Sequence, residues 1–233
     1  LNYIKENLNN VFKDIEDACV KVNRNKDDIV LIGVTKTVDI PIIEEAIKNG
    51  IKHVGENKVQ ELVKKYDLIG SKVKWHLIGT LQTNKVKYII DKVDMIHSLD
   101  RISLCKEINK RAESIDKVID CLVQVNISKE ESKHGIYKED VIEFIKNVSN
   151  KFNNIRIKGL MTMAPYVDNP EDVRIYFREL KDLSNEIKKL NLENVYMDYL
   201  SMGMSNDFKV AIEEGANMIR VGTSIFGKRN YMK

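Results

Sequence analysis

The sequence predicts a single α/β domain, a (β/α)8 TIM barrel opened by an N-terminal helix. Three observations predict it: eight short apolar runs rich in β-branched residues, amphipathic helical patterns between them, and no linker anywhere in 233 residues. Strict alternation of strand and helix demands parallel strands joined by crossovers, and eight such units suit a closed barrel. An open doubly wound sheet is the competing arrangement.

Tyr3, Ile4, Leu8, Val11, Phe12, Ile15, Ala18, Cys19 and Val22 recur at spacings of three and four, which predicts a long amphipathic helix before any strand. The first strand, 30–35, is a run of apolar and β-branched residues of the kind buried on both faces. Further strands are expected at 53–56, 73–78, 93–97, 118–125, 155–161, 195–200 and 218–221. Helices are expected at 42–48, 59–68, 84–92, 104–112, 138–148, 170–190 and 206–214. Val173, Phe177, Leu180, Leu183, Ile187 and Leu190 make the clearest apolar face. Too few residues follow the eighth strand for a full outer helix, so the opening helix is expected to cover the barrel beside that strand. The only prolines are Pro41, Pro165 and Pro170, and no Gly/Ser-rich stretch marks a boundary, so 1–233 reads as one domain.

With 43% apolar and 31% charged residues the chain reads as an ordinary globular protein. Its 38 basic and 35 acidic residues are interspersed, so the net charge of +3 exerts little pull on nucleic acid, and no aromatic interleaving accompanies the basic residues. Cys19, Cys105 and Cys121 form no C-x-x-C pair, which suits a reducing cytosol. Lys5, Glu6, Lys13 and Asp14 interrupt the first 15 residues, and no run approaches the roughly 18 apolar residues of a membrane span. A soluble, cytoplasmic monomer is expected.

In such a barrel chemistry gathers where strands end. Lys36 follows the first strand directly, so its stem is expected inside the barrel mouth, where burial and neighbouring cations favour a neutral, nucleophilic amine. A lysine snorkelling past the rim, or paired with Glu56, is the alternative. Ser201-Met202-Gly203-Met204-Ser205 and Gly222-Thr223 offer hydroxyls and backbone N–H groups after strands seven and eight, a recurring phosphate site in this architecture; the same glycines could simply make tight turns. Arg220 is expected to point inward, toward a phosphate or a cofactor's ring nitrogen, unless it is a structural arginine paired with Asp198 or Glu56. His76 and His97 are acid/base candidates without metal-ligand spacing, and no metal is expected. Trp75 should face away from His76, into barrel-to-helix packing. Met161, Met163, Met202 and Met204 either pad a flat ring or fill core gaps.

Together these residues resemble the pyridoxal phosphate homeostasis protein family, single-domain relatives of the alanine racemase N-terminal domain, also called proline synthase co-transcribed homologues. The resemblance runs through Val34-Thr35-Lys36-Thr37, Gly55-Glu56-Asn57, the stretch from Trp75 to Lys85, Lys158 to Met163, Leu200 to Ser205, and Arg220-Val221-Gly222-Thr223. It implies pyridoxal 5′-phosphate (PLP) as cofactor, held as a Schiff base on Lys36. Ser201, Gly222 and Thr223 would surround the phosphate, Arg220 would approach the pyridine nitrogen, and Asn57, His76 and Met202 would line the ring. Many relatives carry a second lysine where this chain has Val38, while Lys133 in Ser132-Lys133-His134-Gly135 matches a family position on a mobile loop. The implied function is PLP carriage and homeostasis without proven catalytic turnover, with apo PLP-dependent enzymes as recipients. The alternatives are a PLP-dependent amino-acid racemase using Lys36 with His76 or Tyr166 as bases, and a small-metabolite barrel enzyme without PLP.

Overall fold

A computed structural model describes residues 2–227, so residue 1 and residues 228–233 of the expected single domain lie outside the described residues. The strands are β1 (Val30–Val34), β2 (His53–Glu56), β3 (Lys74–Leu77), β4 (Met95–Leu99), β5 (Ile119–Asn126), β6 (Ile136–Tyr137), β7 (Ile155–Met161), β8 (Val195–Ser201) and β9 (Met218–Val221). Every pairing is parallel. β1 pairs with β2 and β9, and β4 pairs with β5, so eight strands close into a barrel while the two-residue β6 adds to β5 outside the ring. Closure removes the open doubly wound alternative.

The helices are α1 (Asn2–Lys21), α2 (Ile40–Lys48), α3 (Val59–Ile69), α4 (Ile102–Glu113), α5 (Val141–Lys151), α6 (Arg174–Lys189), α7 (Phe208–Glu213) and α8 (Thr223–Phe226). α1 turns Ile4, Leu8, Val11, Ile15, Ala18 and Cys19 inward. It packs on α2, α7 and α8, and the Asn7 amide donates to the Ile225 carbonyl at 2.9 Å. The opening helix thus fills the outer ring beside β9, as expected. Its four large aliphatics contribute about 8 kcal/mol of gross transfer free energy, against which chain ordering must be set.

One expected helix is corrected. Between β3 and β4 the chain forms a 3-10 helix, Thr83–Tyr88, not an α-helix over 84–92. Val86 and Ile89 are both fully buried, and their spacing of three matches the three-residue turn, with Ile89 N–H bonded to Val86 O at 3.1 Å.

Two apolar cores result. The larger lies between barrel and helices and includes Trp75, whose indole N–H donates to Gly70 O at 2.8 Å, on the face of β3 opposite His76 as expected. The smaller fills part of the bore: Ile32, Met95, Leu122, Met161 and Met218. Along β1, Val30 and Ile32 face this inner core, Leu31 faces the outer one, and Val34 lines the upper mouth. Lys36, two residues past the end of β1, lines the same upper mouth.

Candidate functional site

A cavity of about 710 Å³ opens at the carboxyl ends of the strands. Lys36, Asn57, Arg220, Gly222 and Thr223 line it, joined by Gln124, Met163, Tyr166 and Ser205. Gly79 shapes the wall, because a Cβ there would lie 2.3 Å from the Asn57 carbonyl oxygen.

Lys36 is half-buried at the second position of a tight turn, 35–38. Val38 N–H closes that turn on Thr35 O at 2.9 Å, and Thr37 adopts φ +62°, a strained value for a β-branched residue. The strain is held by a clamp from α3. Thr37 N–H donates to Glu61 at 2.8 Å, while the Lys65 ammonium donates to Thr35 O at 2.6 Å, to Glu56 at 2.7 Å and to Glu61 at 3.2 Å. Thr35 Oγ1 donates to the same Glu56 oxygen at 2.6 Å. Burial raises the Glu56 carboxyl above the usual carboxylate range, and the Lys65 charge opposes that. Glu56 therefore belongs to Lys65 and Thr35, on the outer side of the strands. Val38 packs half-buried against the outer core.

Arg220 is buried, pointing inward from β9 as expected, but its partners are neither Asp198 nor Glu56. One guanidinium nitrogen donates to Ser201 Oγ at 2.6 Å and the other to Thr162 O at 2.8 Å. Burial lowers its pKa to about 10, partly offset by Asp207, so it stays cationic at neutral pH. Asp198 is paired instead with Lys158.

His76, Ser201 and Met202 stand elsewhere than expected. The Ser201 hydroxyl is fully buried between Arg220 and His97 Nδ1, the latter at 3.0 Å, beneath the cavity lining rather than in the phosphate loop. His76 is sealed in the bore, its Nδ1 2.8 Å from His97 Nε2 and its Nε2 2.9 Å from His53 Nδ1. Burial lowers His76 to about 3, reinforced by His53 and Lys74; it also lowers His97 well below its usual value, and His53 in the same direction. Met202 has no exposed surface and fills the outer core. The methionines divide: Met161 and Met202 are core, Met163 and Met204 line the cavity.

The loop after β8 meets the β9–α8 turn through Ser205, whose Oγ accepts from the N–H groups of Gly222 and Ser224, both at 3.3 Å. These bonds are long, so the two N–H groups converge on a point where an anionic oxygen would be a better acceptor. Gly203 (φ +93°) allows the loop to fold against α7, since a Cβ would lie 2.6 Å from that of Ala211. Ser205 and Ser224 are site residues the sequence reading did not single out, although Ser205 stood in the quoted loop. Lys133 is tied to Glu130 at 3.0 Å, in a loop folded over β5 by the Asn126 amide.

The alanine racemase N-terminal domain family model matches residues 25–230. A pyridoxal phosphate homeostasis protein of Aquifex aeolicus is 46% identical over 227 residues, covering 97% of this chain and 98% of that one. A solved structure of a protein from Bifidobacterium adolescentis shares the fold with TM-score 0.91 at 31% identity, covering 97% of this chain and 95% of that one. PipY of Synechococcus elongatus, solved with PLP bound, has TM-score 0.82 at 29% identity, covering 96% of this chain and all of its own. With its barrel closed and its length matched almost end to end, the chain belongs to the pyridoxal phosphate homeostasis protein family, within the alanine racemase N-terminal domain fold.

Proposed function

We propose that this protein binds PLP at the barrel mouth and serves PLP homeostasis, holding the cofactor through Lys36 and passing it to apo PLP-dependent enzymes. The observation that carries this reading is the pairing of an inward lysine at the end of β1 with an inward, buried arginine on the adjacent β9, both lining one cavity. The donor set fits the cofactor's polar ends. When bound, PLP supplies an aldehyde that an amine can attack, and Lys36 presents that amine. With the cofactor bound, Arg220 would donate toward the ring nitrogen, Asn57 would border the ring, and Thr223 with the N–H groups of Gly222 and Ser224 would hold the anionic tail. Ser205 would yield those N–H groups to the stronger acceptor. The cavity volume lies within the usual small-molecule range.

Arg220 can donate but never accept. Facing the ring nitrogen, it would keep that nitrogen unprotonated and so make the ring a poorer electron sink for a carbanion. A racemase also needs bases on both faces of its substrate. His76 is spent between His53 and His97, which leaves Tyr166, 89% exposed at the cavity, as the remaining candidate. Sustained inversion of L- or D-amino acids by the loaded protein, followed by chiral detection, would overturn the carrier reading.

We read the protein as a cytoplasmic monomer without a nucleic-acid role. Its cysteines are unpaired and buried, which suits a reducing compartment. Surface cations are matched by acids, as in Arg174 with Glu171, Glu213 and Glu214. Among the described residues no helix is long and apolar enough to cross a membrane. Titration with PLP followed by visible absorbance tests the function: a saturable band is expected, absent in Lys36→Ala. No band in the wild type, or an equal band in the variant, contradicts the reading.

A further inference from the structure

The barrel bore contains a continuous polar chain that no single stretch of sequence reveals. His53, His76 and His97 sit on three successive strands. His53 pairs in register with Lys74, two residues before His76, and His76 pairs with Met95, two residues before His97. Each step therefore moves one strand over and one inward position up, the diagonal at which long side chains on neighbouring strands meet. Ser201 repeats the geometry on the far wall, because it pairs with Met218, two residues before Arg220. The chain ends below in a second cavity, of about 700 Å³, which His53 lines together with Phe12, Lys26, Asp27 and Lys52.

Hydrogen-bond counting gives this chain a direction. Arg220 must donate to Ser201 Oγ. Ser201 is fully buried, so its own hydrogen needs an acceptor, and His97 Nδ1 at 3.0 Å provides it. A neutral imidazole with an accepting Nδ1 carries its hydrogen on Nε2. His97 therefore donates from Nε2 to His76 Nδ1, and His76 donates from Nε2 to His53 Nδ1. The Nε2 hydrogen of His53 is then left for the lower cavity.

We propose that Ser201, His97, His76 and His53 are positioning residues for Arg220, forming a one-way chain that couples the lower cavity to the guanidinium at the cofactor site. All three rings are Nε2–H tautomers, and losing the acceptor at His53 frees the rings above it to reverse. A reversed His97 would donate to Ser201, whose hydroxyl hydrogen would then lose its acceptor beside Arg220. The cofactor arm of this inference rests on Arg220 facing the PLP ring; the direction of the chain does not.

Nitrogen-15 spectra of the histidine- and arginine-labelled protein without cofactor test the direction. The expected result is three Nε2–H rings with pyridine-like Nδ1 atoms; His76 or His97 as an Nδ1–H tautomer, or doubly protonated, overturns the chain. Coupling is tested from its far end. His53→Phe, which removes the acceptor, should shift the Arg220 side-chain resonances and weaken PLP binding roughly tenfold, and His53→Gln, which restores an acceptor, should recover both. Unmoved Arg220 resonances in a folded His53→Phe protein overturn the coupling, and if that variant does not fold, the wild-type tautomers still decide the direction. Failure of wild-type protein to bind PLP would sink the proposed function instead, leaving the tautomer and resonance measurements to judge the chain.

Discussion

The shell between barrel and helices and the bore of the barrel are built on different terms. The shell is held by apolar side chains such as Trp75, Phe177 and Leu180, in a core that runs around nearly the whole outside of the ring. The bore has a small apolar cluster of five buried residues, and much of the rest of it is polar: three histidines, Ser201 and Arg220 bonded end to end. Burial stabilises the shell in proportion to area. The bore is stable only while each donor meets its acceptor, because a buried polar group left unpaired is costly. The contrast shows a fold keeping its stability outside and its ligand-facing chemistry inside.

Trp75→Ala should break the shell without touching the bore. A loss of about 3–5 kcal/mol is expected from the cavity and the lost indole bond, measured by denaturant unfolding, with PLP affinity unchanged once the protein is folded. Acid should act the other way round. The unfolded chain takes up protons on its histidines near pH 6.5, whereas the folded bore resists until His76 titrates at about 3. Stability therefore rises with pH through that window and falls as acid is added, by about 1.4 kcal/mol per pH unit for each histidine held neutral. Thermal melts between pH 7.5 and 5 should show this fall, and His76→Gln should flatten it.

Arg220→Ala should weaken PLP binding roughly ten- to a hundredfold, the value of one hydrogen bond to a charged group, as read by equilibrium dialysis. Its cost in stability should stay below that of Trp75→Ala. The smallest expected effect is at Thr37, whose φ of +62° glycine adopts without strain. Thr37→Gly should raise stability by about 1 kcal/mol and loosen the turn that carries Lys36, seen as a faster off-rate for PLP.

The same contrast explains what could be read from sequence. Shell residues repeat every three or four positions on helices, so the face 173–190 and the opening helix were legible, as were the parallel strands that their alternation demands; eight such units suited a closed ring, which the β4–β5 pairing completes. Arg220 was legible because it alternates with apolar neighbours within β9, and Lys36 because it comes just after the apolar run of β1, where a barrel gathers its chemistry. The histidine chain was not. His53, His76 and His97 are separated by more than twenty residues at each step, and only strand register aligns them. Ser201 was expected at the phosphate because it lies in the loop motif, yet as the last residue of β8 it keeps strand geometry and turns into the bore, and the serine that meets the Gly222 turn is Ser205. The 3-10 helix after β3 was missed because an apolar spacing of three also fits an α-helix.

Borohydride reduction of the PLP-loaded protein, followed by peptide mapping, tests most directly whether the inward amine at the end of β1 holds the cofactor. A stable phosphopyridoxyl group is expected on the peptide containing Lys36 and none in Lys36→Ala. A group carried on another lysine, with Lys36 unmodified, would contradict it.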